Sequence, residues 1–351
     1  MKKLVSRKKF FVIGVLAGLL CYCAVFAQKP ELKFHEDGTF KILQLSDLHV
    51  QHLNGKSEKA INNINVLLEY EKPDFVIITG DLITLAPGEA GLQRIFEPII
   101  RRRIPFAVTW GNHDNLDCGW GDKAPNNNCD MSRHEMQDYV ERQSYNVGFR
   151  VDGLNGESVF NIPIQSSTGN KDAFVLWVMD SGSQSTLAEV KGSGWITSEQ
   201  IEWYNRESKA FTNANGGTPV PALAFYHIPV PEYADAIRSV TAQWTGYKLE
   251  GISCSAMNTG FFAATRINGD VMGHFCGHDH DNDFVIMWQG IMLGYCRFSG
   301  GNTTYTHLDY TGGRVFILQE GVRKFETYVR LRNGDCIQRV SYPQLLKKIE
   351  D

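Results

Sequence analysis

The sequence predicts an α/β fold, and three observations carry the prediction. Between residues 40 and 110, apolar runs of strand length alternate with segments of helical spacing. Those runs are continuous, as strands buried on both faces require. Beyond residue 283 the pattern turns strand-rich, with short apolar stretches separated by Gly-containing turns.

Taken in order, residues 40–46 (FKILQLS) form the first expected strand. Residues 57–70 place Ile61, Ile64, Leu67 and Leu68 on one helical face, and Pro73 ends that helix. Phe75 to Ile78 is the second strand, residues 92–103 a second helix, and Phe106 to Trp110 the third strand. This alternation implies parallel strands joined by right-handed crossovers. Residues 115–134 and 152–171, rich in Gly, Asn, Asp and Ser, are expected to be loops. Phe174 to Met179 is a strand, and Thr197-Ser198-Glu199-Gln200 is a capping box opening a helix that ends near Phe211. A strand at Ala222 to Tyr226, a helix over 255–267 and a strand at Val271 to Phe275 follow. Strands over 284–288, 291–297, 314–319 and 324–332 complete the chain. No repeat or composition break interrupts residues 28–351, which are expected to form one domain.

The 351 residues, 43% hydrophobic and 21% charged, suffice for a sizeable core. A net charge of -4 argues against a general nucleic-acid or acidic-membrane binder. Arg101-Arg102-Arg103 fits a last helical turn, where cations offset the macrodipole. Lys2, Lys3, Arg7, Lys8 and Lys9 precede the apolar run Phe10 to Phe26, and Val25-Phe26-Ala27 resembles a cleavage site. Residues 1–27 are therefore expected to be a signal peptide, making the protein secreted or periplasmic with no later membrane span. An uncleaved membrane anchor is the competing reading. Six of the eight cysteines lie beyond residue 27. Cys118 and Cys129, flanking one polar loop, are the simplest disulfide among fifteen possible pairings, with buried thiols as the alternative.

The residues that carry chemistry fall where strands end. Asp47 and His49 follow the first strand, and Asp81 follows the second through Gly80. Asn112, His113 and Asp114 follow the third through Gly111, His227 ends a later strand, and His278 and His280 follow another through Gly277. Open α/β sheets bind ligands beyond the carboxyl ends of their strands. Five strands thus deliver metal-type donors to one rim, a pattern that helix caps or core histidines would not produce. The i, i+2 pairs Asp47/His49 and His278/His280 can each project to one side of an extended segment. Imidazoles and carboxylates with one amide suit Mn, Fe, Zn or Ni rather than calcium. Seven donors with one shared carboxylate can hold two divalent ions and leave positions open for water.

The segments Asp47-Leu48-His49, Gly80-Asp81, Gly111-Asn112-His113-Asp114, His227 and Gly277-His278-Asp279-His280 together resemble the motif set of calcineurin-like metallophosphoesterases. The stretches VTWGNHD, LAFYHIP and GHDHDND are similar to a purple-acid-phosphatase-like branch. The resemblance implies two facing mixed β-sheets flanked by helices, a four-layer sandwich. It also implies that Asp47, His49 and His280 bind one ion, that Asn112, His227 and His278 bind the other, and that Asp81 bridges them. A metal-bridging hydroxide would attack phosphorus in line. His113 would protonate the leaving oxygen or steady the phosphoryl oxygens, with Asp114 orienting its ring. Thr84 stands where true purple acid phosphatases carry a tyrosine, and His49 where they carry a glycine. Two divalent ions are therefore expected rather than a ferric-tyrosinate site. Against Asp47, Asp81 and a hydroxide they leave about +1, which attracts an anionic ester.

The expected function is an exported phosphomonoesterase acting on small phosphate esters. A phosphodiesterase or nuclease with the same centre is the alternative enzyme, and the lack of a basic groove weighs against the nuclease. A non-catalytic surface module is a third reading, opposed by the intact donor set. Asp279 and Asp283 are expected to hold their loop, Trp110 to pack in the core, and His35, His52, His134, His274 and His307 to take no part. Loops 115–134, 182–196 and 231–262 are expected to shape the pocket. Trp120, Lys123, Arg133, Tyr233, Trp244, Tyr247 and Lys248 within them would suit an anionic aromatic group. Asn302-Thr303-Thr304 is a glycosylation sequon, meaningful in a eukaryotic source.

Overall fold

The computed structural model describes residues 29–114 and 129–344. The chain runs β1 (Leu32–Lys33), β2 (Thr39–Leu45), α1 (Glu58–Glu71), β3 (Phe75–Thr79), α2 (Gly88–Arg101), β4 (Phe106–Thr109) and α3 (Arg133–Glu141). It continues through β5 (Phe160–Gln165), β6 (Asp172–Val178), α4 (Ser198–Ala214), β7 (Ala222–Phe225), α5 (Glu232–Arg238), β8 (Trp244–Thr245), α6 (Phe261–Asn268) and β9 (Val271–Cys276). β10 (Val285–Trp288), β11 (Ile291–Tyr295), β12 (Gly312–Gln319), β13 (Phe325–Leu331) and β14 (Cys336–Tyr342) close it.

Two mixed sheets result, ordered β14-β13-β12-β2-β3-β4 and β1-β5-β6-β7-β9-β11-β10-β8. β2, β3 and β4 are parallel, with Leu43 opposite Val76 and Ile77 opposite Ala107. β6, β7, β9 and β11 are parallel in the other sheet. Every residue of β3 is buried, which explains its unbroken apolar run. Ile42, Phe75 and Ile77 face Phe225, Phe275 and Met292 across the core between the sheets. Their chain neighbours Leu43, Val76 and Ile78 face outward, against Ile64 and Leu67 of α1 and Ile95 of α2. Trp177 and Ala224 of the larger sheet pack on Trp203 and Tyr204 of α4 and Phe261 of α6. The layers are helix, sheet, sheet, helix, and each fully buried large apolar side chain contributes about 1.5–3 kcal/mol.

Several elements depart from the expectation. β5 lies inside the expected loop 152–171. Asn161 and Pro163 resemble turn residues, yet the strand alternates buried and half-buried positions, and pairing with β6 carries Ile162 and Ile164 into the central core. α3 begins within the expected loop 115–134, with a capping box between Ser132 and Glu135. α5 occupies part of the expected loop 231–262, and the helix expected over 255–267 is confined to Phe261–Asn268. β14 extends the smaller sheet beyond the last expected strand. The expected signal peptide, residues 1–27, and Cys118, Trp120 and Lys123 lie outside the described residues. Cys254, Cys276, Cys296 and Cys336 are free thiols.

Candidate metal centre

β2, β3, β4, β7 and β9 each run into a loop that carries one or more of the expected donors. Asp47 (φ 57°), His49 (φ 45°), Asp81 (φ 54°) and His278 (φ 79°) hold left-handed backbone. Such conformations cost about 1–3 kcal/mol each and persist where the surroundings over-determine them. Here the loops brace one another: Asp47 N–H donates to the Gly80 carbonyl at 3.0 Å and His49 N–H to the Asp81 carbonyl at 2.9 Å. The motif glycines have a steric reason. A Cβ at Gly111 would sit 2.1 Å from Asp81 Oδ1, and one at Gly80 (φ +89°) would sit 2.4 Å from His227 Nδ1.

The structure brings the seven expected donors together. Asp47, His49, Asp81 and His280 form one group and Asp81, His227 and His278 another, with the ligand atoms of each within 4.8 Å of one another. Asp81 belongs to both. His49 Nε2 lies 3.1 Å from His280 Nε2 and 3.5 Å from Asp81 Oδ2. His280 Nε2 lies 3.7 Å from Asp47 Oδ1. On the other side, His227 Nε2 lies 3.3 Å from Asp81 Oδ2, 3.0 Å from Asn112 Oδ1 and 3.3 Å from His278 Nδ1. His227 Nδ1 faces the Thr79 carbonyl at 2.8 Å, and His280 Nδ1 faces the Tyr305 carbonyl at 2.9 Å. Each carbonyl accepts from the Nδ1–H tautomer and so leaves an Nε2 lone pair directed inward, the arrangement that metal-binding histidines use.

Electrostatics give the same account. Burial raises the pKa of Asp47, lowers that of His49, and brings His278 down to about 3. Burial also works against ionised Asp81, yet His227 and His113 beside it hold it well below the usual carboxylate range. His227 is pushed up to about 9, since the Asp81 charge and hydrogen bond outweigh the burial that opposes protonation. A buried cluster that drives one of its imidazoles to take a proton is short of positive charge. Two carboxylates, four imidazoles and an amide oxygen therefore fit divalent transition metals.

His113 is buried at the edge of this cluster, its backbone N–H donating to Asp81 Oδ1 at 2.8 Å and its ring 5.4 Å from that of His49. Asp114 departs from the implied role. Its Oδ1 accepts from the N–H groups of Leu82 (2.8 Å) and Ile83 (3.2 Å), and its Oδ2 from that of Gly111 (2.8 Å). It ties two donor loops together instead of orienting the His113 ring, and burial with the Asp81 charge brings it up to about 6.

A cavity of about 250 Å³ opens over the cluster, lined by Asp81, Asn112, His113, His278 and His280 and walled by Gln184, Ser193, Ser253 and Tyr305. Loops 182–196 and 231–262 do reach it, but through neutral polar side chains. Tyr233 is buried, its hydroxyl on the His274 carbonyl, and Arg133 is bound to Asp180 and to backbone carbonyls. Trp244, Tyr247 and Lys248 are likewise absent from the described lining. Tyr305, which no motif flagged, stacks on the His280 ring at 4.5 Å and donates its hydroxyl to Glu250 at 2.9 Å. His307, expected to take no part, pairs with Asp281 directly after His280. Asp279 accepts from Tyr295 Oη at 2.6 Å and Asp283 from Tyr247 N–H at 2.7 Å, so both hold their loop. Trp110 is buried with its indole N–H on Gln137. His274 is enclosed between Tyr226 and Thr265, His35 pairs with Asp74 and His134 with Glu157.

Comparison with known proteins agrees with this geometry. Residues 40–282 match the model of the calcineurin-like phosphoesterase family. Over 322 residues the chain is 29% identical to "Probable inactive purple acid phosphatase 29" of Arabidopsis thaliana, covering 82% of this chain and 79% of that protein. Over 282 residues it is 29% identical to "Phosphatase DCR2" of Saccharomyces cerevisiae, covering 72% of this chain and 46% of that one. A dimetal phosphatase from Danio rerio superposes with a TM-score of 0.55 at 12% identity, over 86% of this chain and 98% of its own. Purple acid phosphatase PPD1 of yellow lupin (Lupinus luteus) superposes at 0.52 and 12%, over 89% of this chain and 55% of its own. At such identities the two structures speak for the fold, which is theirs. With the family model spanning most of the described chain and the donor-bearing strand ends inside it, this protein belongs to the calcineurin-like phosphoesterase family.

Proposed function

We propose that this protein is an exported, dinuclear metal-dependent phosphoesterase acting chiefly on phosphate monoesters. The observation that carries the proposal is that Asp81 belongs to two adjacent donor groups at once. Asp47, His49 and His280 would hold one ion, Asn112, His227 and His278 the other, with Asp81 between them. When bound, such a pair supplies Lewis acidity that lowers the pKa of water and draws off phosphoryl charge. The chain's own residues do the rest. The Thr79 and Tyr305 carbonyls fix the tautomers of His227 and His280. His113, outside the donor groups but lining the cavity, is the proton donor to the departing oxygen in this proposal. Gln184, Ser193 and Ser253 supply hydrogen-bonding walls for the alcohol portion.

Three of the relatives carry names that call them probable inactive phosphatases. The full donor set and His113 support activity for this chain. Elemental analysis of the purified protein, coupled to a panel of aryl mono- and diesters, tests the proposal. About two transition-metal ions per chain and faster monoester hydrolysis are expected. Asp81→Asn should lose metal and activity together, whereas His113→Ala should keep metal and lose about 10²–10⁴-fold in rate, most with poor leaving groups. A metal-free preparation with full activity would end the proposal, and a diester preference would move it to the phosphodiesterases. Export is tested by sequencing the N-terminus of the secreted or periplasmic protein, expected at Gln28.

A further inference from the structure

β6 ends among the donor strands yet brings no donor. Its continuation, Asp180-Ser181-Gly182-Ser183, fastens its neighbours instead. Asp180, almost wholly buried, pairs through Oδ1 with Arg133 Nη1 at 3.0 Å. The same guanidinium donates from Nη2 to the Gly111 carbonyl at 2.5 Å and from Nε to the Asp114 carbonyl at 3.4 Å. Ser183 Oγ donates to the Asn112 carbonyl at 2.9 Å. Ser181 Oγ accepts from the Ile228 N–H at 2.9 Å, directly after His227. Three carbonyls of the Gly111–Asp114 turn are thus gripped by side chains from outside it.

The placement of Arg133 is informative. It is the first residue of α3, where the positive end of the helix dipole disfavours a cation. The helix does not need it there, because Ser132 and Glu135 already cap its start. A planar fork can reach two carbonyls and a carboxylate at once, which a lysine ammonium cannot reproduce.

We propose that Arg133 and the Asp180–Ser183 turn are a positioning device for Asn112 and His113. The device holds Asn112 Oδ1 toward His227 Nε2 and keeps His113 at the cavity. None of these residues touches the reacting atoms; they act through the loop. The inference rests on reading the centre as a phosphoesterase site.

The test compares wild type, Arg133→Met, Arg133→Lys and Ser183→Ala. Three quantities are measured: amide hydrogen exchange of the peptide covering residues 106–114, metal content, and kcat and KM on an aryl phosphate. In Arg133→Met, exchange at residues 111–114 should quicken about tenfold or more while β6 and β7 stay protected. Its kcat should fall about 10–100-fold, as for other outer partners of metal ligands, with KM within about threefold. Arg133→Lys should recover part of the protection and little of the rate. Ser183→Ala should move both quantities the same way by less, and decides the matter if Arg133→Met does not fold. Unchanged exchange at residues 111–114 overturns the proposal, as does faster exchange with unaltered kcat and metal content. If wild type neither binds metal nor hydrolyses esters, the phosphoesterase reading fails by itself, while the exchange data still decide whether the turn is clamped.

Discussion

A methyl group on residue 111 would lie 2.1 Å from the carboxylate that both donor groups share, and 2.4 Å from its backbone nitrogen. Neither atom can move without shifting Asp81. Gly111→Ala should therefore cost about 1–3 kcal/mol of overpacking and disturb both ion sites together. Urea unfolding and metal analysis check this, and a variant with two ions and full stability would refute the steric argument. His274 allows a second prediction, away from the centre. It is buried between Tyr226 and Thr265, and burial brings its pKa down from 6.5 to about 3. Between those values the unfolded chain binds a proton that the folded chain refuses, so stability falls as pH falls. From pH 7 to pH 5 the loss is about 2 kcal/mol. In chelator-treated protein, His274→Asn should shrink the difference in unfolding free energy between pH 7 and pH 5 by about that amount. An unaltered difference would mean that His274 does not contribute.

At the scale of elements, each donor loop begins within two residues of the end of a short parallel strand. A strand rises about 3.3 Å per residue and alternates faces, so a one-residue slip would carry a donor out of reach and turn it away. The two-sided burial of β3 prevents such slips, since every one of its residues faces a packed layer. α3 plays a different part, because its first turn carries Arg133. Loss of the Ser132 cap should loosen that turn. Ser132→Ala is expected to cost about 0.5–2 kcal/mol in urea unfolding while leaving metal content near wild type. A loss of ions from this variant would show that the cap itself supports the site.

For the whole molecule, the centre lies at the junction of the two sheets. Asp47, His49, Asp81 and Asn112 come from the six-stranded sheet, and His227, His278 and His280 from the eight-stranded one. The Asp47 carboxylate already accepts the backbone N–H of His278 at 3.1 Å across that junction. Bound ions would tie the layers together, stabilising the folded chain by about 2.7 kcal/mol per site at a concentration one hundred times Kd. Chelation should lower Tm by several degrees, with recovery on adding Mn or Zn. A Tm indifferent to chelation, with metal shown to leave, would remove the tie.

How far the site was legible follows from where each interaction originates. A donor beside a glycine at a strand end is a local pattern, set by burial periodicity and by the absence of room for a Cβ. The sequence alone therefore placed the seven candidate donors and His113 at strand ends, and it determined the parallel β2-β3-β4 core and the strand-rich end. β5 escaped because Asn161 and Pro163 resemble turn residues until β6 pairs with them. Tertiary structure alone decided that Asp114 binds backbone rather than His113, that Tyr305 stacks on His280, that loops 182–196 and 231–262 reach the cavity through neutral side chains, and that Arg133 grips a loop. Most of these contacts join residues about 20 to 50 positions apart in the chain. Their partners are chosen by how two sheets pack face to face, which no local spacing encodes.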